Sequence, residues 1–173
     1  MRIVKKLTNN KYVNLFEIED EKNHVKGFQY AERRGVDSVA FICLDQDSEQ
    51  FLLNREFKPP INSFVLGAFG GSFDKNKKPI DIVIDEVKEE AGFVVTKNDV
   101  KFVGKVLVST QMNQYCYLYL VLVNKENQGE REPENLIEAA AKTEWKLWGN
   151  DIYKLEDWKP ITIIAKAQAK DII

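Results

Sequence analysis

The sequence is poor in the side chains that bind soft metals or act as nucleophiles. Its 173 residues include one histidine, His24, and two cysteines, Cys43 and Cys116, which do not form a Cys-x-x-Cys motif. These counts argue against a zinc site, thiol catalysis and a Ser-His-Asp triad. Each cysteine lies in an apolar, strand-like run, so we expect both to be buried packing residues in a reducing cytoplasm.

Long hydrophobic runs and an excess of one charge are also absent. No apolar run approaches the roughly 18 residues of a membrane-spanning helix, and there is no positively flanked signal sequence. The net charge is −2, with basic and acidic residues intermixed, so a nucleic-acid-binding surface is not indicated. At 44% hydrophobic residues, the chain can form one domain with a sufficient core. We therefore expect a cytoplasmic protein with neither nucleic acid nor membrane as a partner.

The most informative segment is PIDIVIDEVKEEAG, from Pro79 to Gly92. Glu86, Glu89 and Glu90 are three or four residues apart, so in a helix they share an arc of about 100°. Pro79 suits the first helical position and Gly92 a left-handed end. An apolar stripe at helical spacing predicts that the adjoining side is buried: Ile80, Val83, Ile84, Val87 and Ala91.

This helix can be read as a metal site or as an ordinary solvated acidic face. The residues before it favour the metal site, because FVLGAF reads as a strand, Gly70-Gly71 as a turn and 72–78 as a loop. A strand, a glycine turn, a loop and a Glu-rich helix resemble the Nudix hydrolase signature, Gly-x5-Glu-x7-Arg-Glu-aliphatic-x-Glu-Glu-x-Gly-aliphatic. The matching positions are Gly71, Glu86, Val87, Glu89, Glu90, Gly92 and Phe93.

The resemblance implies that Glu86, Glu89 and Glu90 hold Mg²⁺ or Mn²⁺, with the backbone carbonyl of Gly70 as a further ligand. Carboxylate and carbonyl oxygens are the hard ligands that magnesium prefers. The chain departs from the signature at two positions, where Lys77 replaces a glutamate and Asp85 replaces the arginine. We expect these two residues to form a charge-reversed version of the family's pair.

The resemblance covers roughly residues 33–165 and points to the ADP-ribose pyrophosphatase branch. Lys58-Pro59-Pro60 stands for an Arg-Pro-Pro stretch whose arginine contacts phosphate, which makes Lys58 a substrate-binding candidate. Gly67 stands where the branch has an acid that helps to build the metal site. Gln114 aligns with a glutamate proposed to activate water, and Gln cannot take up a proton. Either metal and a helix glutamate activate water, or hydrolysis is slow or absent.

The amino-terminal 35 residues are expected to form a β-hairpin extension and a dimerisation arm. In the ADP-ribose branch such strands exchange between two chains, and their aromatic side chains stack on adenine. The resemblance therefore makes Phe28 and Arg34 candidates for substrate contact, with burial in a core as the alternative for Phe28. Arg55, beside the Lys58 stretch, is a further substrate candidate, with an exposed ion pair as its alternative.

The resemblance predicts a Nudix-type α/β/α sandwich over residues 36–173, with a mixed β-sheet between helices. A terminal helix is predicted over 162–173 from the apolar spacing of Ile163, Ile164, Ala167 and Ile172. The expected function is metal-dependent hydrolysis of the pyrophosphate in a nucleoside diphosphate derivative, ADP-ribose or a nucleotide sugar, by a homodimer. The alternative is a catalytically weak Nudix fold that binds a nucleotide as a sensor or regulator.

Overall fold

A computed structural model describes residues 1–73 and 76–173 of the chain. It contains a three-stranded sheet and a seven-stranded sheet. The first sheet holds β1 (Arg2–Lys6), β2 (Val13–Asp20) and β3 (Val25–Arg33). The second holds β4 (Ser38–Asp45), β5 (Gln50–Lys58), β6 (Ser63–Gly67), β7 (Phe69–Ser72), β8 (Val100–Leu107), β9 (Tyr115–Val123) and β10 (Lys142–Leu147).

The larger sheet is mixed, with the strand order β10-β5-β4-β9-β8, and β6 and β7 pair with β5 and β4. The central strands β4 and β9 are parallel, and the other pairings are antiparallel. Helices α1 (Pro79–Glu86) and α4 (Trp158–Gln168) pack on opposite faces, while α2 (Leu136–Ala140) and α3 (Asn150–Tyr153) are short. The α/β/α sandwich predicted from the sequence is confirmed.

Both faces of β4 are buried, because a helix covers each side of the sheet. Phe41 and Cys43 belong to the core beneath α1, whereas Ile42 belongs to the core beneath α4. A strand buried on both faces reads as a continuous apolar run, which is why SVAFICLD shows no alternation of polar and apolar residues. Cys43 and Cys116 are both free and buried, as predicted.

The terminal helix differs from the predicted 162–173. It begins at Trp158, because the Asp157 side chain accepts the backbone N–H of Lys159 and caps the first turn. Pro160 is tolerated in that turn because first-turn N–H groups have no helical acceptor. The helix ends at Gln168, and Asp171 then adopts a left-handed backbone with φ 54°. Spacing of the apolar residues identified the buried face but not the capped start.

The amino-terminal sheet extends the predicted hairpin by one strand. β2 and β3 pair antiparallel around a turn at Glu21–Asn23, and β1 pairs with β2. A backbone hydrogen bond links the amino-terminal sheet to the loop between β8 and β9. In it, the N–H of Ala31 on β3 donates to the carbonyl of Gln111 at 2.8 Å. Sequence reasoning missed β1 because RIVKK is short and mostly exposed. Within the described residues, no helix has the length and apolar character needed to cross a bilayer.

The parallel centre of the sheet is expected to carry much of the stability. Leu118 on β9 is fully buried in the core beneath α4, so Leu118→Ala leaves a cavity and should lower the unfolding free energy by about 2–5 kcal/mol. Leu136→Ala, at a side chain that is 88% exposed, should change it by less than about 0.5 kcal/mol. Urea unfolding measures both, and equal losses would contradict this assignment of the core.

Candidate active site

Two consecutive glycines let the helix carboxylates lie directly against a strand. Gly70 is opposite Ala40 in the antiparallel pairing of β7 with β4. A Cβ atom at Gly71 would stand 2.5 Å from Oε1 of Glu86, and one at Gly70 would stand 2.9 Å from the carbonyl oxygen of Val39. Either side chain would force the strands or the helix apart. The predicted turn at Gly70-Gly71 is wrong, because both glycines lie within strand β7 and pair with β4. Their lack of a side chain is a steric requirement of this close approach.

A π-helical turn at Val87–Ala91 follows α1 and ends at Gly92, whose φ is 77°. Single π-turns in helices are frequent at functional sites. This turn directs the Glu90 side chain inwards, where it is only 7% exposed and its Oε2 accepts the N–H of Gly70 at 3.3 Å. Glu89 lies half-buried on the same turn, and its carbonyl oxygen accepts the N–H of Glu132 at 2.9 Å.

Burial and neighbouring acids set the electrostatics of Glu90. Loss of hydration, followed by repulsion from Glu86, raises the pKa of Glu90 from 4.5 to about 8. Glu138 and Glu56 repel it further, whereas the N–H of Gly70 lowers the pKa. Three carboxylates, from β5, α1 and α2, therefore act on the carboxylate of Glu90 in the π-turn.

A cavity of about 310 Å³ opens beside these groups. Its acidic wall is formed by Glu56, Glu90 and Glu138, and Gly70 and Gly71 contribute backbone. Three basic residues also line it: Arg33, Lys58 and Lys159. A cavity with both acids and bases suits a ligand that carries phosphate together with a cation.

The predicted substrate residues occupy different parts of the molecule. Lys58 lines the cavity, and its Nζ pairs with Glu56 at 2.8 Å. Arg55 lies on the same strand but on the other face, because side chains alternate, and its Nε donates to Glu144. Arg34 is exposed, and its N–H donates to the carbonyl of Tyr12; Phe28 is 43% exposed in the amino-terminal sheet. Of these four residues, only Lys58 lines this cavity.

Gln114 is buried, at 4% exposure, and its Nε2 donates to Oγ of Ser38 at 3.0 Å. Ser38 lines the cavity, so Gln114 stands behind the cavity wall. Gln114 therefore supports the cavity wall through Ser38. A catalytic role for Gln114 stays a prediction. Its neighbour Tyr115 is held by a bond from its N–H to Oδ1 of Asp37, 2.8 Å long.

Sequence reasoning missed Glu138, Arg33 and Lys159 as cavity residues. The sequence carries one local signal, since Asn135 followed by Glu138 is a capping pattern, and Asn135 does cap α2. That pattern predicts a helix start but not a position beside Glu90. Arg33 is the last residue of β3, and its Nη2 donates to Oγ of Ser72. Arg34, the arginine predicted from the sequence to contact substrate, is the next residue along the chain and does not line the cavity.

The donor set fits a hard divalent cation. Glu86, Glu90 and the Gly70 backbone converge, and the raised pKa of Glu90 reflects negative charge that a cation would offset. Asn54, two residues before Glu56 on the same strand face, has a buried Oδ1 that accepts no hydrogen bond within the described residues. Over residues 1–73 and 76–173, no three acidic, His or Cys side chains already have metal-site geometry. Metal binding by Glu86, Glu89 and Glu90 therefore stays a prediction.

The predicted charge-reversed pair is confirmed. Nζ of Lys77 forms an ion pair with Oδ2 of Asp85, and both side chains are partly exposed. Lys77 belongs to the loop before α1, and Asp85 belongs to the helix itself. The pair therefore ties the loop to the helix one residue before Glu86.

Comparison with known proteins agrees with the fold and with the resemblance to Nudix hydrolases. The chain is 32% identical over 88 residues to an uncharacterized Nudix hydrolase of Schizosaccharomyces pombe, a match that covers 47% of this chain and 43% of that relative. The chain thus spans less than half of the relative's length. A crystal structure of an ADP compounds hydrolase superposes with a TM-score of 0.72 at 16% identity, over 96% of this chain and 90% of that one. No protein-family profile matches. The predicted similarity to Nudix hydrolases is confirmed.

The pKa of Glu90 predicts an unusual pH dependence for the metal-free protein. Because this pKa is raised in the folded state, the folded protein binds more protons than the unfolded chain between pH 4.5 and about 8. The unfolding free energy should therefore fall as the pH rises through this window. Glu90→Gln should remove much of the fall, which is on the order of 1 kcal/mol for each pH unit within the window. Urea unfolding in EDTA at pH 5 and pH 8 measures the difference.

Glu130→Gln, at an exposed glutamate, is the control and should keep the wild-type slope. Millimolar Mg²⁺ should restore stability at pH 8 more than at pH 5, because a cation replaces the proton. Identical slopes for wild type and Glu90→Gln would show that Glu90 is not buried among carboxylates.

The Lys77–Asp85 pair predicts a coupled charge swap. Lys77→Glu and Asp85→Arg each place like charges together, so each should lower stability and kcat/KM, whereas the double variant should recover both. Since the pair is partly exposed, its coupling energy should be about 0.2–1 kcal/mol. A double-mutant cycle on unfolding free energy and kcat/KM measures it, and additive single effects would disprove the coupling.

Proposed function

We propose that this protein hydrolyses the pyrophosphate bond of a nucleoside diphosphate linked to another group, with ADP-ribose or a nucleotide sugar as the substrate. The supporting observation is that Glu56, Glu90 and Glu138 line one cavity with basic side chains, while Glu86 lies beside Gly71 and acts electrostatically on Glu90. The similarity to a Nudix hydrolase and the fold of an ADP compounds hydrolase support the same class.

Mg²⁺ or Mn²⁺ is the proposed cofactor, held by Glu86, Glu89 and Glu90 with the carbonyl of Gly70. Such an ion supplies charge neutralisation at the phosphates and lowers the pKa of a bound water. The chain's own contribution is to fix these oxygens in place. Gly71 in strand β7 allows the strand to lie against Glu86, and the N–H of Gly70 orients the Glu90 carboxylate.

Lys58 and Arg33 are the proposed phosphate contacts. Lys58 is held by Glu56, so its ammonium has a defined position on the wall. Lysine lacks the planar fork of the arginine expected from the family, and it offers a point charge in place of a two-pronged contact. Arg33 carries such a guanidinium to the same cavity and is oriented by Ser72. The planar donor is thus supplied from β3.

Glu138 is the proposed general base that takes a proton from the attacking water. It lines the cavity, and its carboxylate is oriented by the N–H of Glu134 at 2.8 Å and by the side-chain amide of Asn135. Both donors are uncharged, so they hold the carboxylate in place without the neutralisation that a cation would bring. Gln114 cannot serve in this role, because an amide does not take up a proton at neutral pH.

We extend the proposal to a homodimer built through the amino-terminal sheet. That sheet and the residue that follows β1 expose apolar side chains that a second copy would cover: Ile3, Val4, Val13 and Leu15 on the strands, and Leu7 after β1. Phe28 lies on β3 and Arg34 in the turn that follows it, and neither lines the cavity of its own chain. In the proposed dimer they would contact the base of a nucleotide held by the other copy.

A nucleotide-binding sensor or regulator is the second candidate. The departures at Gly67 and Gln114 favour it, because each removes a carboxylate that the resemblance predicts near the metal. Metal-dependent release of AMP from ADP-ribose supports the hydrolase, whereas binding of ligand without turnover supports the sensor. A screen of ADP-ribose, nucleotide sugars, dinucleotides and nucleoside triphosphates with each metal distinguishes them.

Substitution of Glu138 tests the mechanism. Glu138→Gln should lower kcat by about 10²–10⁴-fold with little change in KM, because general-base assistance is lost while binding is kept. Glu134→Gln is the matched control, since Glu134 is exposed in the same segment and should keep activity within about threefold. Steady-state AMP release measures both variants. A larger loss in Glu134→Gln than in Glu138→Gln would place the base at Glu134.

A further inference from the structure

The amino-terminal end of α4 brings a lysine into the cavity. α4 packs on the sheet face opposite α1, yet Lys159 in its first turn lines the same cavity as Glu90 and Gly70. The Lys159 side chain is 31% exposed, so its ammonium remains in contact with solvent at the cavity wall. Nothing in the sequence pattern around Lys159 indicated this position.

Asp157 fixes the position of that lysine. Nζ of Lys159 donates to both carboxylate oxygens of Asp157, at 3.1 Å each. The same carboxylate accepts the backbone N–H of Lys159 at 3.1 Å and that of Ala68 at 3.0 Å. Asp157 is only 11% exposed on its side chain, so it is a nearly buried anchor between α4 and the β6–β7 junction. Its oxygens are engaged by these donors, and Asp157 does not itself line the cavity.

Gly67 makes room for this anchor. A Cβ atom at position 67 would lie 2.2 Å from Oδ2 of Asp157, which no real side chain could tolerate. The family resemblance predicts an acid at this position. In this chain the side chain of Asp157 fills the space instead. Asp157 in turn positions Lys159 through their ion pair. The substitution replaces a single negative charge with an ion pair whose cationic end reaches the cavity.

We propose that Lys159 binds a phosphate group of the substrate and that Asp157 is its positioning residue. This inference rests on the proposed function and extends it to a residue pair outside the helix signature. An ammonium has three N–H donors, and two of them serve Asp157, so the third is available to a phosphate oxygen. Because the anchor already restricts the lysine's rotamers, little further side-chain entropy is lost when phosphate binds.

The test measures binding separately from hydrolysis. Titration calorimetry with ADP and with inorganic pyrophosphate, both in the presence of Mg²⁺, reports the phosphate contact even if no substrate is turned over. Lys159→Met keeps the apolar stem and removes the charge, and should weaken both probes by roughly tenfold or more, as expected for a charge-assisted hydrogen bond. Lys159→Arg should retain most of the affinity. Asp157→Asn should weaken both probes to a smaller extent.

Lys154→Met is the matched control, because Lys154 also pairs with an aspartate, Asp151, but does not line this cavity. It should bind both probes as the wild type does. Thermal unfolding of every variant verifies folding, and Lys159→Met should retain a cooperative transition. With a substrate that is turned over, Lys159→Met should raise KM more than it lowers kcat.

The outcomes separate the two proposals. If the wild type binds ADP without hydrolysing any compound, and Lys159→Met loses that affinity, the hydrolase proposal fails and the phosphate site stands. If folded Lys159→Met binds both probes like the wild type, Lys159 serves only to neutralise Asp157 and the inference is overturned. A loss with ADP but not with pyrophosphate would overturn the assignment to phosphate. Absence of binding of both probes to the wild type would also overturn it.

Discussion

The candidate site depends on the close approach of a strand backbone to a helix that carries carboxylates. Gly70 and Gly71 permit this approach, since a side chain at either position would collide with Glu86 or with the neighbouring strand. As a consequence Glu90 is buried, and repulsion from three other carboxylates disfavours its ionised form. Removal of water makes such a cluster costly in the metal-free protein and strong as a cation ligand once the charge is offset. Other features of the site provide counter-charges around this cluster.

The chain departs from the Nudix signature that it resembles at positions where charged side chains are expected. Lys77 and Asp85 exchange the signs of the expected pair and still join the loop to the helix. At position 67 an acid is lost, and Asp157 fills the space from a distant part of the chain. The first change keeps an ion pair with its two charges exchanged. At position 67 the expected acid is replaced by the ion pair of Asp157 with Lys159, and Lys159 lines the cavity.

The amino-terminal sheet and the larger sheet have different amounts of buried surface. The larger sheet is covered by helices on both faces, whereas the smaller one leaves many apolar side chains exposed. Of the three strands in the smaller sheet, β3 is the one that reaches the cavity, through Arg33 at its end. The smaller sheet therefore combines an exposed apolar surface with one basic residue that it contributes to the cavity.

The sequence by itself determined the Glu-rich helix with its ends at Pro79 and Gly92, the mixed sheet between helices, the hairpin at the amino terminus and the Lys77–Asp85 pair. The helix and the hairpin follow from periodicity and end signals along the chain. The mixed sheet between helices and the Lys77–Asp85 pair were predicted from the resemblance to the Nudix signature. Tertiary structure alone decided that Glu138, Arg33 and Lys159 line one cavity and that Arg55 faces away from it. The reason is physical: residues more than 100 positions apart meet only when strand pairing and helix packing fold the chain, and no local pattern encodes that meeting.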